Sequence, residues 1–94
     1  MLTSKQRAKL RSMANEMPAI FQIGKDGITE NMITQLNDAL EARELIKITI
    51  LQNSSVVAKE VIAELCKSLR SEPVQCIGRK MVIYRRSKKP VITL

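Results

Sequence analysis

Residues 45–51 read Leu-Ile-Lys-Ile-Thr-Ile-Leu, with Ile46, Ile48 and Ile50 on one face and Lys47 and Thr49 on the other. β-Branched residues repeating at every second position specify a strand. The runs on either side repeat at helical spacing instead. Upstream, Met32, Ile33, Leu36, Ala39 and Leu40 follow Thr29, a good N-cap. Downstream, a turn over residues 52–55 leads to a helix reaching about Arg70, with Ser54 or Ser55 as its cap. Val57, Val61, Leu65 and Leu69, joined by Ile62, mark the buried stripe of that helix. A half-buried strand between two amphipathic helices belongs to a layered α/β arrangement.

The rest of the chain extends that pattern. Thr3 or Ser4 caps a first helix running to about Glu16, with Leu10, Met13, Ala14 and Met17 as its apolar stripe, and Pro18 ends it. Residues 19–23 read as a short, largely buried strand. Pro73 opens a last pair of strands, 74–77 and 80–85, joined by Gly78-Arg79. Glycine first in a two-residue loop suits a type II′ hairpin. The tail over 86–94 is basic and then apolar (Val91, Ile92, Leu94), and is a candidate edge strand. The order is α-β-α-β-α-β-β in a single domain over 1–94, of class α/β (α+β two-layer). Right-handed crossovers set the first three strands parallel and place two helices on one face. The hairpin adds an antiparallel strand, giving a mixed four-stranded sheet with three helices in two layers.

Charge is distributed unevenly along this chain. Residues 1–15 carry four bases and no acid, residues 73–94 carry six bases and no acid, and the middle holds all nine acids against six bases. The net +7 therefore resides at the two ends, which points to a polyanionic partner more than to solubility. No run of apolar residues is long enough for a transmembrane helix, and the start lacks the apolar stretch of a signal peptide. A cytoplasmic protein is the simplest reading. Cys66 and Cys76 read as packed free thiols, and two cysteines without any histidine make a poor metal site. No cofactor is implied. Without histidine, general acid–base chemistry would fall to other groups, yet Glu41 with Glu44 and Glu60 with Glu64 are read on exposed helix faces. The chain is read as a non-enzyme.

Between the second predicted element and the Thr29 helix lies Ile23-Gly24-Lys25-Asp26-Gly27-Ile28-Thr29. A G-x-x-G loop is a weak signal alone. Here it precedes a capped helix start, where amide N–H groups attract phosphate and glycine permits close approach. Lys25 adds a charge at the tip and Asp26 opposes it. Phe21 and Tyr84 are the only aromatic residues, too few for a base-stacking sheet. A partner read by shape and phosphate fits, and structured RNA fits best. The basic residues placed beside the loop as phosphate contacts are Lys9, Arg11, Arg79, Lys80, Arg85 and Arg86.

Four separated motifs in order carry a resemblance over nearly the whole chain. They are Leu10-Arg11 with Ala14; Ile23-Gly24-Lys25-Asp26-Gly27 with Thr29; Glu44-Leu45-Ile46-Lys47-Ile48; and Ile77-Gly78-Arg79 with Val82-Ile83-Tyr84-Arg85. Together they resemble the CRM domain family, the RNA-splicing and ribosome-maturation module, in its bacterial single-domain YhbY form. The resemblance implies a mixed four-stranded sheet with three helices, similar to the C-terminal domain of a bacterial translation initiation factor. It also implies binding of ribosomal RNA in precursors of the large subunit, with Gly24, Lys25, Asp26 and Gly27 as an RNA-contacting loop likened to that of KH domains. The expectation is a monomeric, non-catalytic RNA-binding protein assisting large-subunit maturation. The alternative is a protein–protein adaptor that binds a ribosomal protein through the sheet edge and the apolar tail. A membrane-surface role lacks the large apolar helix face it requires.

Overall fold

Thr3 begins the regular structure. Its hydroxyl accepts from the Gln6 amide at 3.1 Å while the Gln6 side chain accepts from the Thr3 amide at 3.0 Å, a reciprocal cap that satisfies two N-terminal donors. From there the computed structural model, which describes residues 2–52 and 57–94, follows the expected order. The elements are α1 (Ser4–Ala14), β1 (Phe21–Ile23), α2 (Glu30–Arg43), β2 (Leu45–Ile50), α3 (Ala58–Leu69), β3 (Glu72–Ile77) and β4 (Lys80–Tyr84). The fold is α+β, with one mixed four-stranded sheet.

The strands lie in the order β1-β2-β4-β3, with β1 parallel to β2 and β4 antiparallel to both its neighbours. The first three strands thus share a direction, as expected. The sequence reading has both crossovers join neighbouring strands, which holds for β1 and β2 but not for β2 and β3, separated by β4. The hairpin strand lies inside the sheet, because α3 carries the chain past one strand position and β4 folds back into the gap.

Ile46, Ile48 and Ile50 pack under α2 and α3 with Leu36, Leu40, Val61, Leu65, Met81 and Ile83. Each fully buried aliphatic side chain of this kind contributes about 1.5–3 kcal/mol. A second cluster on the other sheet face joins Leu10 and Ala14 of α1 to Leu45, Val74, Val82 and Tyr84. Two layers therefore do not account for every stripe; α1 forms a third, on the face opposite α2 and α3.

Several local expectations shift. α1 ends at Ala14, before Pro18, and the capping Asn15 amide bonds the Arg11 carbonyl. Met13 is 38 % exposed, since Leu10 and Ala14 are the α1 residues buried against the sheet. Val57 is 55 % exposed because it is the extended N-cap of α3, ahead of the helical repeat. Ser54 and Ser55, expected to cap that helix within a turn at 52–55, lie outside the described residues. The hairpin has its positive φ at Gly78 (58°) and not at Arg79, as a type II′ turn requires.

The tail is no edge strand. Its amides are taken by carboxylates: Ser87, Val91 and Ile92 donate to Glu44 at 2.9, 2.6 and 2.7 Å, and Lys88 donates to Glu41 at 2.8 Å. Glu44, read from sequence as exposed, is fully buried, because it caps α2 at its junction with β2 and turns inward beneath the tail.

Candidate nucleic-acid interface

The Gly24–Gly27 loop is a turn closed by a 3.1 Å bond from the Gly27 amide to the Gly24 carbonyl. Gly27 stands at φ 66°, a backbone that glycine adopts without strain. Gly24 has ordinary space around it: a Cβ there would meet Leu51 Cδ1 at 3.8 Å. Lys25 and Asp26 at the tip are exposed. Just beyond, Thr29 Oγ1 accepts from the Met32 amide at 3.1 Å and fixes the start of α2, as its sequence position predicts.

Leu51 ties this loop to the hairpin. Its amide donates to the Ile23 carbonyl at 2.8 Å, its carbonyl accepts from Arg79 Nη1 at 3.0 Å, and the Ile50 amide donates to the Arg79 carbonyl at 2.7 Å. The sheet register places Ile23 beside Ile50 and Lys80 beside both Thr49 and Ile77. Gly24, Lys25, Asp26, Gly27, Arg79 and Lys80 accordingly share one end of the sheet.

α1 covers only part of its sheet face. Toward the loop end, Gln22, Thr49, Lys80 and Ile77 lie on that face and are exposed or half-buried. Arg7 Nε donates to the Pro73 carbonyl at 3.2 Å, which turns this side of α1 toward β3. Arg11, exposed and one turn later, lies on the same side. Lys47 on this face is occupied, its Nζ donating to the Ala14 and Met17 carbonyls at 3.0 and 3.3 Å and closing the end of α1.

The remaining expected contacts lie at the other end of β2, whose six residues span about 17 Å. Lys9 Nζ donates to the Thr93 carbonyl in the tail. Arg86 is exposed. Arg85 is half-buried and its guanidinium is held within the fold. Nη1 bonds Asn37 Oδ1 at 2.7 Å and the Leu69 carbonyl at 3.0 Å, and Nη2 bonds the Asn37 carbonyl at 3.0 Å and Glu41 Oε2 at 3.5 Å. It joins β4 to α2 and α3. The structure thus separates the ten expected contacts into a loop-end group and a tail-end group, with Arg11 between them on α1.

Titration follows these environments. Burial pushes the Glu44 carboxyl up, but the amides of Ser87, Ile92 and Val91 and the charge of Arg86 outweigh that and hold its pKa below the ordinary value. Burial raises the Cys66 thiol, so the protonated form is favoured. Burial and the nearby Glu44 charge raise Tyr84, whose 6 % exposure makes it a core residue. Among the described residues, no three of His, Cys, Asp and Glu group as metal ligands, and no helix is long and apolar enough to cross a membrane.

A family model for the CRS1 / YhbY (CRM) domain matches residues 2–85. The chain belongs to the CRM domain family. A Bacillus subtilis protein named "Probable RNA-binding protein YqeI" is 49% identical over 89 residues, covering 95% of this chain and 93% of that one. A Pseudomonas aeruginosa protein named "Probable RNA-binding protein PA4753" is 30% identical over 95% of this chain and 86% of its own length. The solution structure of the Staphylococcus aureus protein SAV1595 superposes with a TM-score of 0.80 at 55% identity, over 95% of this chain and 93% of that one. In this CRM domain, sequence reasoning passed over Gln22 and Thr49 as surface neighbours of the loop. Thr49 was legible as facing away from the isoleucines, but Gln22 joins it only through the β1–β2 register, which no local spacing encodes.

Proposed function

We propose that this CRM domain is a non-catalytic RNA-binding protein that grips structured RNA with the loop end of its sheet. The observation that carries the reading is the meeting of the G-x-x-G turn and the Gly78-Arg79 hairpin on Leu51, beside an uncovered polar strip of sheet. Such an end presents a close-approach backbone at Gly24–Gly27, a helix start at Thr29, and the charges of Lys25, Arg79 and Lys80. Backbone N–H groups and lysine or arginine side chains position phosphates, and the lack of exposed aromatic rings leaves shape as the second determinant. Asp26 weakens the local field, so the loop serves mainly to let the RNA backbone approach closely. Arg11 extends the surface along α1.

The names of the relatives support RNA as the partner, and resemblance to the family's ribosome-maturation members supports precursors of the large ribosomal subunit in the cytoplasm. The test is RNA affinity against ionic strength for the wild type and for a Lys25→Ala, Arg79→Ala double variant. If both side chains contact phosphates, the double variant binds less tightly and its log–log salt slope flattens by about 0.7–0.9 per lost contact. An unchanged slope removes this end of the sheet from the interface. Nuclease treatment before sedimentation of a lysate separates this reading from that of a ribosomal-protein adaptor: an RNA binder leaves the particles when RNA is digested, while an adaptor stays with its protein.

A further inference from the structure

We infer that the cleft between the start of α1 and the C-terminal tail is a second RNA contact, taking one unpaired nucleotide, base and phosphate together. This inference rests on the RNA-binding reading above and adds a site on the opposite end of the sheet, partly built by residues beyond the 2–85 family match.

The cleft encloses about 520 Å³, within the range of small-molecule sites. Its lining combines aliphatic Leu2, Ile92 and Leu94 with the basic residues Arg70 and Arg86 and one acid, Glu72. That pairing suits a nucleotide, with apolar surface and planar cations for the base and charge for the phosphate. Tyr84 also lines the cleft, but at 6 % exposure it offers too little ring surface for stacking. The base therefore lies against the guanidinium planes and the aliphatic wall. Arg85 reaches the cleft as well, yet Asn37 and the Leu69 carbonyl already hold it, so the phosphate is assigned to Arg70 and Arg86, whose two charges outweigh that of Glu72.

Both ends of the cleft are preformed. Arg70 caps α3 in the left-handed conformation (φ 54°, ψ 42°), with its amide on the Cys66 carbonyl, so the backbone from which its side chain departs is fixed. The tail wall is fastened where the Val91 and Ile92 amides meet Glu44. A preordered site loses little entropy on binding. Inside a duplex the base is stacked and unavailable, so the occupant comes from a loop, bulge or end.

The test uses the full chain, isotope-labelled for amide spectra and titrated separately with ribose 5-phosphate, adenosine monophosphate and tetraadenylate. Shifts at Arg70, Arg86 and Ile92, increasing in affinity in that order of ligands, are the expected result. Arg70→Asn, which tolerates the left-handed backbone, should weaken tetraadenylate binding about tenfold with an unchanged thermal midpoint, and Arg86→Gln, which also removes a charge beside Glu44, should weaken it similarly in spectra recorded well below its own midpoint. Equal affinity for ribose 5-phosphate and adenosine monophosphate would reduce the cleft to an anion contact and overturn the nucleotide site. Tighter binding of the monophosphate than of tetraadenylate would assign it to a free nucleotide instead of RNA. If the cleft is silent while structured RNA still binds with its salt dependence intact, the cleft falls and the loop-end reading stands. If structured RNA fails to bind as well, both fall.

Discussion

Glu44 unites two costly features, a fully buried carboxylate and a non-glycine backbone at φ 66°, ψ −38°. Such a backbone costs about 1–3 kcal/mol, so the surroundings must hold it. Three tail amides do so at the carboxylate, and the Arg85 amide bonds the Glu44 carbonyl at 2.9 Å. Because its folded pKa lies below the ordinary 4.5, the carboxylate adds stability above that pH and loses it as pH falls through the lower folded value. Urea denaturation as a function of pH should therefore show wild-type stability falling below about pH 4.5. Glu44→Gln, less stable at neutral pH by about 1–3 kcal/mol, should show a smaller fall. Glu44→Gly should be less destabilised than Glu44→Ala, since glycine loses the anchor but relieves the backbone. Gly24 makes a complementary probe: its Cβ space is ordinary, so Gly24→Asp should keep the thermal midpoint while weakening RNA binding. Unchanged affinity in that folded variant would mean that the loop does not approach RNA closely.

At the scale of elements, Arg85 illustrates how a basic residue can be structural. Arg85→Ala should lower stability by about 2 kcal/mol, because it releases the part-buried Leu69 carbonyl of α3 together with Asn37 and Glu41 of α2. Its RNA affinity, measured well below the melting temperature, should match wild type; a loss of affinity without a loss of stability would return Arg85 to the interface. The elements themselves were largely legible in the sequence, because α2, β2 and α3 declare themselves by local apolar spacing and Thr3 and Thr29 by local capping chemistry. What resisted reading was non-local. Glu44 carries the same sequence signature as solvated Glu41, and its partners lie 43 to 48 residues further along. Arg85 and Arg79 look alike as exposed-looking cations; only tertiary contacts distinguish a clamp from a surface charge. The place of β4 and the third layer formed by α1 likewise depend on how elements pack, not on any element's own pattern.

For the whole molecule, the basic ends of the chain become two separate surfaces at opposite ends of β2, joined along α1 by Arg7 and Arg11. An RNA engaging both must span the sheet, so ionic strength should weaken a long structured RNA more steeply than a short one confined to either end. The sheet order carries a further consequence, for synthesis. β2 is buried between β1 and β4, yet β4 begins 30 residues after β2 ends, with α3 and β3 made in between. A nascent chain that has produced β1, α2, β2, α3 and β3 still lacks the strand that bridges the two halves of the sheet. The tail residues whose amides bond the buried Glu44 carboxylate come later still. Sheet closure is therefore a late event dominated by contacts distant in sequence, which slows folding relative to a helical chain of similar size. Until it occurs, the flanks of β2 and β3 remain open, and a chain cut short before Lys80 has no route to the native sheet.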